Sequence, residues 1–446
     1  MHRFNEGMIR LRAGLTSLVV VLAVTLSVAQ VKGPSTAPRV VVPVRLSDFQ
    51  VDDLHMVSAS VGWAVDGVTG DVLHTAGSVE SWRAVDPPGK PPLGYLSPSV
   101  FFLGGEHAWA VMAGNGRSEV AVARTTDGGS QWITGPSLDP MSGMDAGLAA
   151  GDSMTVDTVT LDFVTSRDGW LAVGLGEEWN AAQGRAGTGT GLVLYRTTDG
   201  GAQWSTELRF TAFTTQQAGL SSGCASPEIL FTSPTRGWET GACVEQTRDG
   251  GITWQKVDPP RPPDIPAARW RRRSCSSTQP SFASARVGWL ALECVIPSRA
   301  GGMADLQVAY QTSDAGAEWV PRQLPVRWPQ LPPTYGTLDG PHLGTRAWLL
   351  GATAQQLRNA GPGTVSQSLY QSVDGGAHWR LVDPALPASS VDFVSAQFGF
   401  AVRACFGAAV GCTNPMLLQT IDGGVNWVQL HPHLLSGRLG PPLPYV

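Results

Sequence analysis

One eight-residue phrase, T/S-x-D-G-G-x-x-W, recurs along the chain and limits the fold more than any other feature. It reads TTDGGSQW at 125–132, TTDGGAQW at 197–204, TRDGGITW at 247–254, SVDGGAHW at 372–379 and TIDGGVNW at 420–427. TSDAGAEW at 312–319 exchanges one Gly for Ala315, and TAGSVESW at 75–82 keeps Thr75 and Trp82 but has lost the Asp. A second phrase, usually Gly-Trp, precedes each copy: Gly62-Trp63, Ala108-Trp109, Gly169-Trp170, Gly237-Trp238, Gly288-Trp289, Ala347-Trp348 and Gly399-Phe400. It returns at intervals of 46, 61, 68, 51, 59 and 52 residues. Self-similarity at such a period marks a repeat architecture, one supersecondary unit built over and over.

The unit reads as four short strands. In the last copy these are VDFVS (391–395), GFAVRAC (399–405), MLLQT (416–420) and NWVQL (426–430), each bounded by turn residues. No stretch between 45 and 430 carries a helical period. Four antiparallel strands repeated seven times, closed radially to hide their edges, predict an all-β, seven-bladed β-propeller. The blades are expected near 50–88, 97–136, 157–210, 226–259, 280–325, 340–385 and 391–431. The organisation is then 1–29 signal peptide or membrane anchor, 30–49 linker, 50–431 propeller and 432–446 C-terminal tail. A length of 446 residues suggests about three domains, but the repeat overrides that prior.

The phrase belongs at the turn between the third and fourth strands. Its Asp accepts hydrogen bonds from backbone N–H groups two residues on, and its Gly residues supply positive φ. Asp127, Asp199, Asp249, Asp314, Asp374 and Asp422 are therefore read as turn residues, not catalysts. The Trp opens the fourth strand and packs on the turn of its own or the next blade.

This phrase resembles the Asp-box, or bacterial neuraminidase repeat, of sialidases, xyloglucanases, sortilin-type receptors and photosystem II stability/assembly factors. With the Gly-Trp phrase, the sevenfold count and the N-terminal segment, residues 50–430 are most similar to the assembly-factor family. The resemblance implies a non-enzymatic, extracytoplasmic propeller that docks a protein partner, with photosynthesis the setting of that family.

The six cysteines fall into a pattern. Cys224 and Cys275 each lie 14 residues before a motif Trp, and Cys243 and Cys294 each lie 5 after it. Each pair is symmetric about a first hairpin turn, so Cys224–Cys243 and Cys275–Cys294 are expected as disulfides. Cys405 and Cys412 flank Ala408-Ala409 and would close a second-to-third strand loop. An even count in an exported chain fits this scheme, and no C-x-x-C spacing points to a metal. No cofactor is implied.

Export is read from the N-terminus. Arg3, Arg10 and Arg12 precede an uncharged apolar run of 17 residues, 13–29, and Ser27 and Ala29 stand at the −3 and −1 positions of a cleavage site. The run suits either a cleaved secretory signal or a retained anchor. The body is then extracytoplasmic, and it meets a membrane only through this segment. A net charge of −5 gives no basic field for nucleic acid.

Turns after first and third strands are short and share one face. The long, varied connections, 174–191, 258–275, 295–306, 351–367 and 405–415, share the other, which is the candidate working face. Among them, 259–275 (PPRPPDIPAARWRRRSC) concentrates Arg269, Trp270, Arg271, Arg272 and Arg273. Arg with an interleaved aromatic suits a carboxylate, a phosphate or an acidic protein surface. The run resembles in composition the arginine patch with which the assembly factors contact their client. A protein partner is expected there, and a glycan is the second candidate. The alternative function is a sialidase-like or other glycoside hydrolase, which needs facing carboxylates. Glu177, Glu178 and Asp264 are the loop acids available, and no Arg-Ile-Pro phrase occurs.

Overall fold

Each pair of phrases lies in one antiparallel sheet of the computed structural model, which describes residues 49–89, 100–113, 119–142, 154–177, 190–211, 228–241, 243–277, 279–282, 284–298, 302–322, 336–343, 346–351, 366–403 and 416–436. The sheets span 51–84, 100–134, 154–211, 229–257, 274–322, 336–386 and 390–430, giving seven blades in chain order. This is the predicted seven-bladed propeller. Strands within a blade follow one another by hairpins. The first strand of blade three, Met154–Phe163, meets the first strands of blades two and four, and Ser390–Phe393 of blade seven meets those of blades six and one. First strands therefore form the inner ring and fourth strands the rim. The segment 1–29 and nearly all of the linker 30–49 lie outside the described residues.

Two blades depart from four strands. In blade five the first strand is split into Ser274–Ser277 and Ser281–Phe282, both paired with Gly288–Pro297. In blade one a fifth strand, His433–Ser436, runs parallel to the outer strand Ser81–Ala84. The expected tail 432–446 is corrected for these residues. Blade one is the blade whose turn phrase has lost its Asp, and the added strand holds that turn from outside: His433 N–H donates to Glu80 O at 2.9 Å and His431 N–H to the Glu80 carboxylate at 3.3 Å. Leu434 packs on the cluster that contains Val79 and Trp82.

The repeated turn is a closed hydrogen-bond cage. Thr125, Thr197, Thr247, Thr312, Ser372 and Thr420 each donate their hydroxyl to the following Asp at 2.8–2.9 Å. The same hydroxyls accept the N–H of the second Gly, as Gly129 to Thr125 at 3.0 Å. The Asp carboxylate accepts the N–H four residues on, as from Gln131 and Gln203, both at 2.9 Å. The expected bond two residues on is replaced by this longer reach, because the two Gly residues turn the chain before it. Both carry positive φ, 69° and 80° at Gly128 and Gly129. The cage is tied to the first turn of its own blade, as by Gly200 N–H to Arg167 O at 2.8 Å and Gly250 N–H to Thr235 O at 2.9 Å. First and third turns thus share one face.

The Gly-Trp phrase joins successive blades. Trp63, Trp109, Trp170, Trp238, Trp289 and Trp348 are all buried. Trp109 and Trp170 each donate their indole N–H to the repeat turn of the next blade, at Gly200 O and Gly250 O, both 2.9 Å. The motif rings lie on a Phe of the next blade's first strand: Trp109 stacks on Phe163 at 3.8 Å, Trp170 on Phe231 at 3.6 Å and Trp348 on Phe393 at 3.9 Å, and Trp238 meets Phe282 tilted by 31° at 4.4 Å. The motif Gly lies beneath the same Phe. A Cβ at Gly237 would stand 2.6 Å from the Phe231 ring, so no larger residue fits without displacing it. The turn-phrase Trp closes the stack edge-on, as Trp254 on Phe231. Such aromatic pairs add about 0.5–1.5 kcal/mol each beyond the area they bury.

The inner ring carries two further latches. The Asp162 carboxylate accepts the backbone N–H of Phe231 in the next blade, and Asp392 accepts that of Met56 at 3.0 Å. Asp162 is buried, and burial pushes its carboxyl up to about 7 against the opposing pull of the Phe231 N–H.

Candidate partner-docking site

The connection from blade four to blade five begins where the outer strand Trp254–Val257 ends, on the face opposite the repeat turns. Its prolines keep residues 259–262 out of the ladder, and the chain turns over 262–265, where Ile265 N–H donates to Pro262 O at 3.2 Å. Pro260 O accepts the Tyr310 hydroxyl at 2.9 Å, and burial pushes that phenol's pKa up. Arg261 folds back on its own turn, donating to Ile265 O and to Pro262 O. A four-residue helix, Ala267–Trp270, follows Pro266, whose fixed φ suits the residue that leads into a helix.

The structure separates the five residues of the basic run. Trp270 is 6% exposed and packs with Ile265, Trp238, Tyr310 and Trp319 between blades four and five. It is an anchor of the segment, so its expected place in a partner-binding surface is corrected. Arg273 lies over the Trp270 ring at 4.2 Å, donates to Trp270 O at 3.0 Å and pairs with Asp258. Arg269 donates to Pro297 O, at the end of the second strand of blade five. These two arginines hold the segment. Arg271 and Arg272 are exposed, and neither side chain has a partner among the described residues. A guanidinium pair on a pinned backbone gives up less freedom on binding than one on a loose loop.

Beside the segment a cavity of about 450 Å³ runs between blades four and five. Gln246, Arg248 and Gln255–Pro260 of blade four form one wall and Gly316–Val320 of the blade-five repeat turn form the other. Arg248, Lys256 and Gln255 are exposed along it, and Asp258 links it to Arg273. The sequence reading missed this cavity.

Facing carboxylates do occur: Glu239 and Glu245 stand opposite each other on the second and third strands of blade four. Each is 1% exposed, sealed inside the blade and away from a polymeric substrate. Of the loop acids, Asp264 is exposed, the Glu177 side chain and Glu178 lie outside the described residues. The six turn aspartates all sit in the cages described above. Among the described residues no three His, Cys, Asp or Glu side chains gather as a metal site.

Cys275 and Cys294 are disulfide-bonded and face each other across the first two strands of blade five. Between Ser277 and Ser281 the first strand gains one residue on its partner, a bulge that lets both the Cys pair and the turn keep their symmetry. Cys243 is also disulfide-bonded, while Cys224, Cys405 and Cys412 lie outside the described residues.

No family model matches this sequence, and no curated protein does. Among solved structures the chain is similar to YCF48 from Cyanidioschyzon merolae, at 16% identity and a TM-score of 0.42, over 80% of this chain and 89% of that one. It is similar to YCF48 bound to D1 peptide at 14% identity and a TM-score of 0.40, over 85% and 95%. It is also similar to the GH74 xyloglucanase from Xanthomonas campestris, at 12% identity and a TM-score of 0.46, covering 84% of this chain and 52% of that one. These propellers share the fold. They include binding proteins and glycoside hydrolases alike.

Proposed function

We propose that this chain is a non-enzymatic, extracytoplasmic propeller that docks a protein partner on its long-connection face through Arg271 and Arg272. The observation that carries the reading is the division of labour in the basic run: Trp270, Arg269 and Arg273 pin the segment, and two neighbouring guanidinium groups are left facing solvent. Guanidinium pairs recognise carboxylates and phosphates in a bidentate manner, which makes an acidic protein surface the fitting partner. The disulfides of Cys243 and Cys275–Cys294 support an oxidising compartment.

Replacing Arg271 and Arg272 by Ser, with Arg269 and Arg273 kept, tests the reading. Two exposed charges contribute about 0.2–1 kcal/mol each. Capture of partners from an extracytoplasmic extract is then expected to fall about fivefold at low salt, with little difference at high salt. Equal capture by both folded proteins returns the pair to a solvated loop. Release of reducing sugar from xyloglucan or arabinan by the purified chain overturns the reading in favour of a hydrolase.

A further inference from the structure

We infer that the strand His433–Ser436 is exchanged between two copies of this chain, each copy closing blade one of the other in a twofold dimer.

The observation is how that strand reaches its place. Within a blade, strands follow one another by hairpins, which make neighbours antiparallel. His433–Ser436 lies parallel to Ser81–Ala84, with His433 opposite Ser81 and Leu434 opposite Trp82, because it arrives from another blade. It follows the outer strand of blade seven, Val428–Leu430, after two residues, His431 and Pro432. Pro432 carries no N–H and keeps His431 out of the helical region, so the hinge runs on without folding back. Donor and acceptor are therefore separate units joined by a two-residue hinge.

The described contacts of the tail with blade one belong to residues 431–436. His431 and His433 donate their N–H groups to Glu80, the His433 ring meets the Ser81 hydroxyl at 3.4 Å, and Leu434 packs on the cluster of Val79 and Trp82. A tail from a second copy makes the same contacts, so seating the strand is equally favourable in either arrangement. Two other terms then decide. Within one copy the two-residue hinge must span two blade rims, and a short hinge favours exchange. Exchange also brings the rims of blades seven and one of both copies together around a twofold axis. Val428 and Leu435, on the two sides of the hinge, are 64% and 63% exposed. Alternation with Leu434 turns Leu435 away from its own blade. These two side chains are the apolar surface that the second copy covers.

Sedimentation equilibrium of the full chain tests the exchange. The dimer is expected to be half formed at on the order of 0.1 mM. Inserting Gly-Ser-Gly-Ser between Pro432 and His433 lets each copy seat its own strand without strain, and is expected to weaken the dimer about tenfold. Deleting Pro432 shortens the hinge and is expected to strengthen it about tenfold or more. Val428→Ser/Leu435→Ser is expected to weaken it about tenfold while blade one stays closed, read as unchanged protease resistance near residues 76–80. Where the deletion fails to fold, the insertion carries the decision, since it keeps every contact of the strand. A dimer of equal strength with the original and the lengthened hinge overturns exchange in favour of simple contact between rims. A full chain that stays monomeric up to about 1 mM overturns the dimer itself.

Discussion

The indole of Trp170 lies flat on the phenyl ring of Phe231, with centroids 3.6 Å apart and planes 1° from parallel. The two residues belong to successive blades, and Gly237 beneath Phe231 leaves no room for the ring to slip. Either residue changed to Ala is expected to cost about 3–5 kcal/mol in urea denaturation. A double-mutant cycle should return a coupling of about 0.5–1.5 kcal/mol. Additive losses would mean that each ring contributes only its own burial and that the stack does not join the blades.

Asp162 makes stability depend on pH in an unusual direction for a carboxylate. Its pKa rises from 3.8 to about 7 on folding, with burial the main cause. The folded state then binds the proton more tightly than the unfolded state. Its contribution is fully present below about pH 4 and is lost as pH rises toward 7. Asp162→Asn keeps an oxygen that accepts the Phe231 N–H and removes the titration. The variant is expected to be the more stable one at pH 8, by on the order of 4 kcal/mol at most, and to converge on the wild type near pH 4. Thermal melts at both pH values check the sign.

Ala315 stands where five sister turns have Gly, and it holds φ at 65°, the one non-Gly residue with positive φ among the described residues. A left-handed conformation costs an L-residue about 1–2 kcal/mol. Ala315→Gly relieves that strain at the expense of a freer unfolded chain, for a net gain of about 0.5–1 kcal/mol. A lower melting temperature for the variant would show that the methyl group, buried in this turn, packs well enough to offset its backbone.

The fold was legible because the turn phrase is a self-contained device: hydroxyl, carboxylate and two glycines lie within five residues, so their geometry is local. The stack between blades was only half legible. Phe102, Phe163, Phe231, Phe282 and Phe393 each lie six residues before the small residue of the second phrase, a spacing visible in the sequence. Its meaning appears only when the next blade is in place. The basic run failed as a single surface for a related reason. Charge density along a sequence does not tell which arginines face inward, and here Ile265 and Trp270 turn the segment so that only Arg271 and Arg272 remain outside.

The symmetric spacing that foresaw Cys275–Cys294 also applies to Cys224 and Cys243, around the turn Ser233–Arg236. Cys243 is bonded, and Cys275 and Cys294 already hold each other. Non-reducing peptide mapping is expected to recover Cys224–Cys243 and Cys405–Cys412. A fragment joining Cys243 to Cys405 or Cys412 would refute the hairpin register in blade four.

The strand His433–Ser436 stands in for the carboxylate that blade one lacks. In the other blades an Asp gathers the turn from within, and in Asp422 the N–H and side-chain amide of Asn426 hold the carboxyl down at about 2. In blade one Ser78 O accepts the Thr75 hydroxyl at 2.7 Å and the Ser81 N–H at 2.8 Å, and the turn is held from outside as well, by His433 N–H on Glu80 O and by Leu434 against the Val79–Trp82 cluster. Deleting 431–446 removes the parallel pairing with Ser81–Ala84 and the two bonds to Glu80, hydrogen bonds worth about 0.5–1.5 kcal/mol each, and part of a leucine's burial, worth about 1.5–3 kcal/mol when complete. The expected loss is about 2–4 kcal/mol, with new protease cleavage near residues 76–80 before the rest of the propeller opens. Gly77 occupies the missing Asp position, and a Cβ there meets nothing within 4 Å. Gly77→Asp should therefore recover about 1 kcal/mol in the shortened chain, the usual worth of a capping carboxylate, and much less in the full one. Equal gains in both backgrounds would mean that the strand and the carboxylate do not serve the same turn.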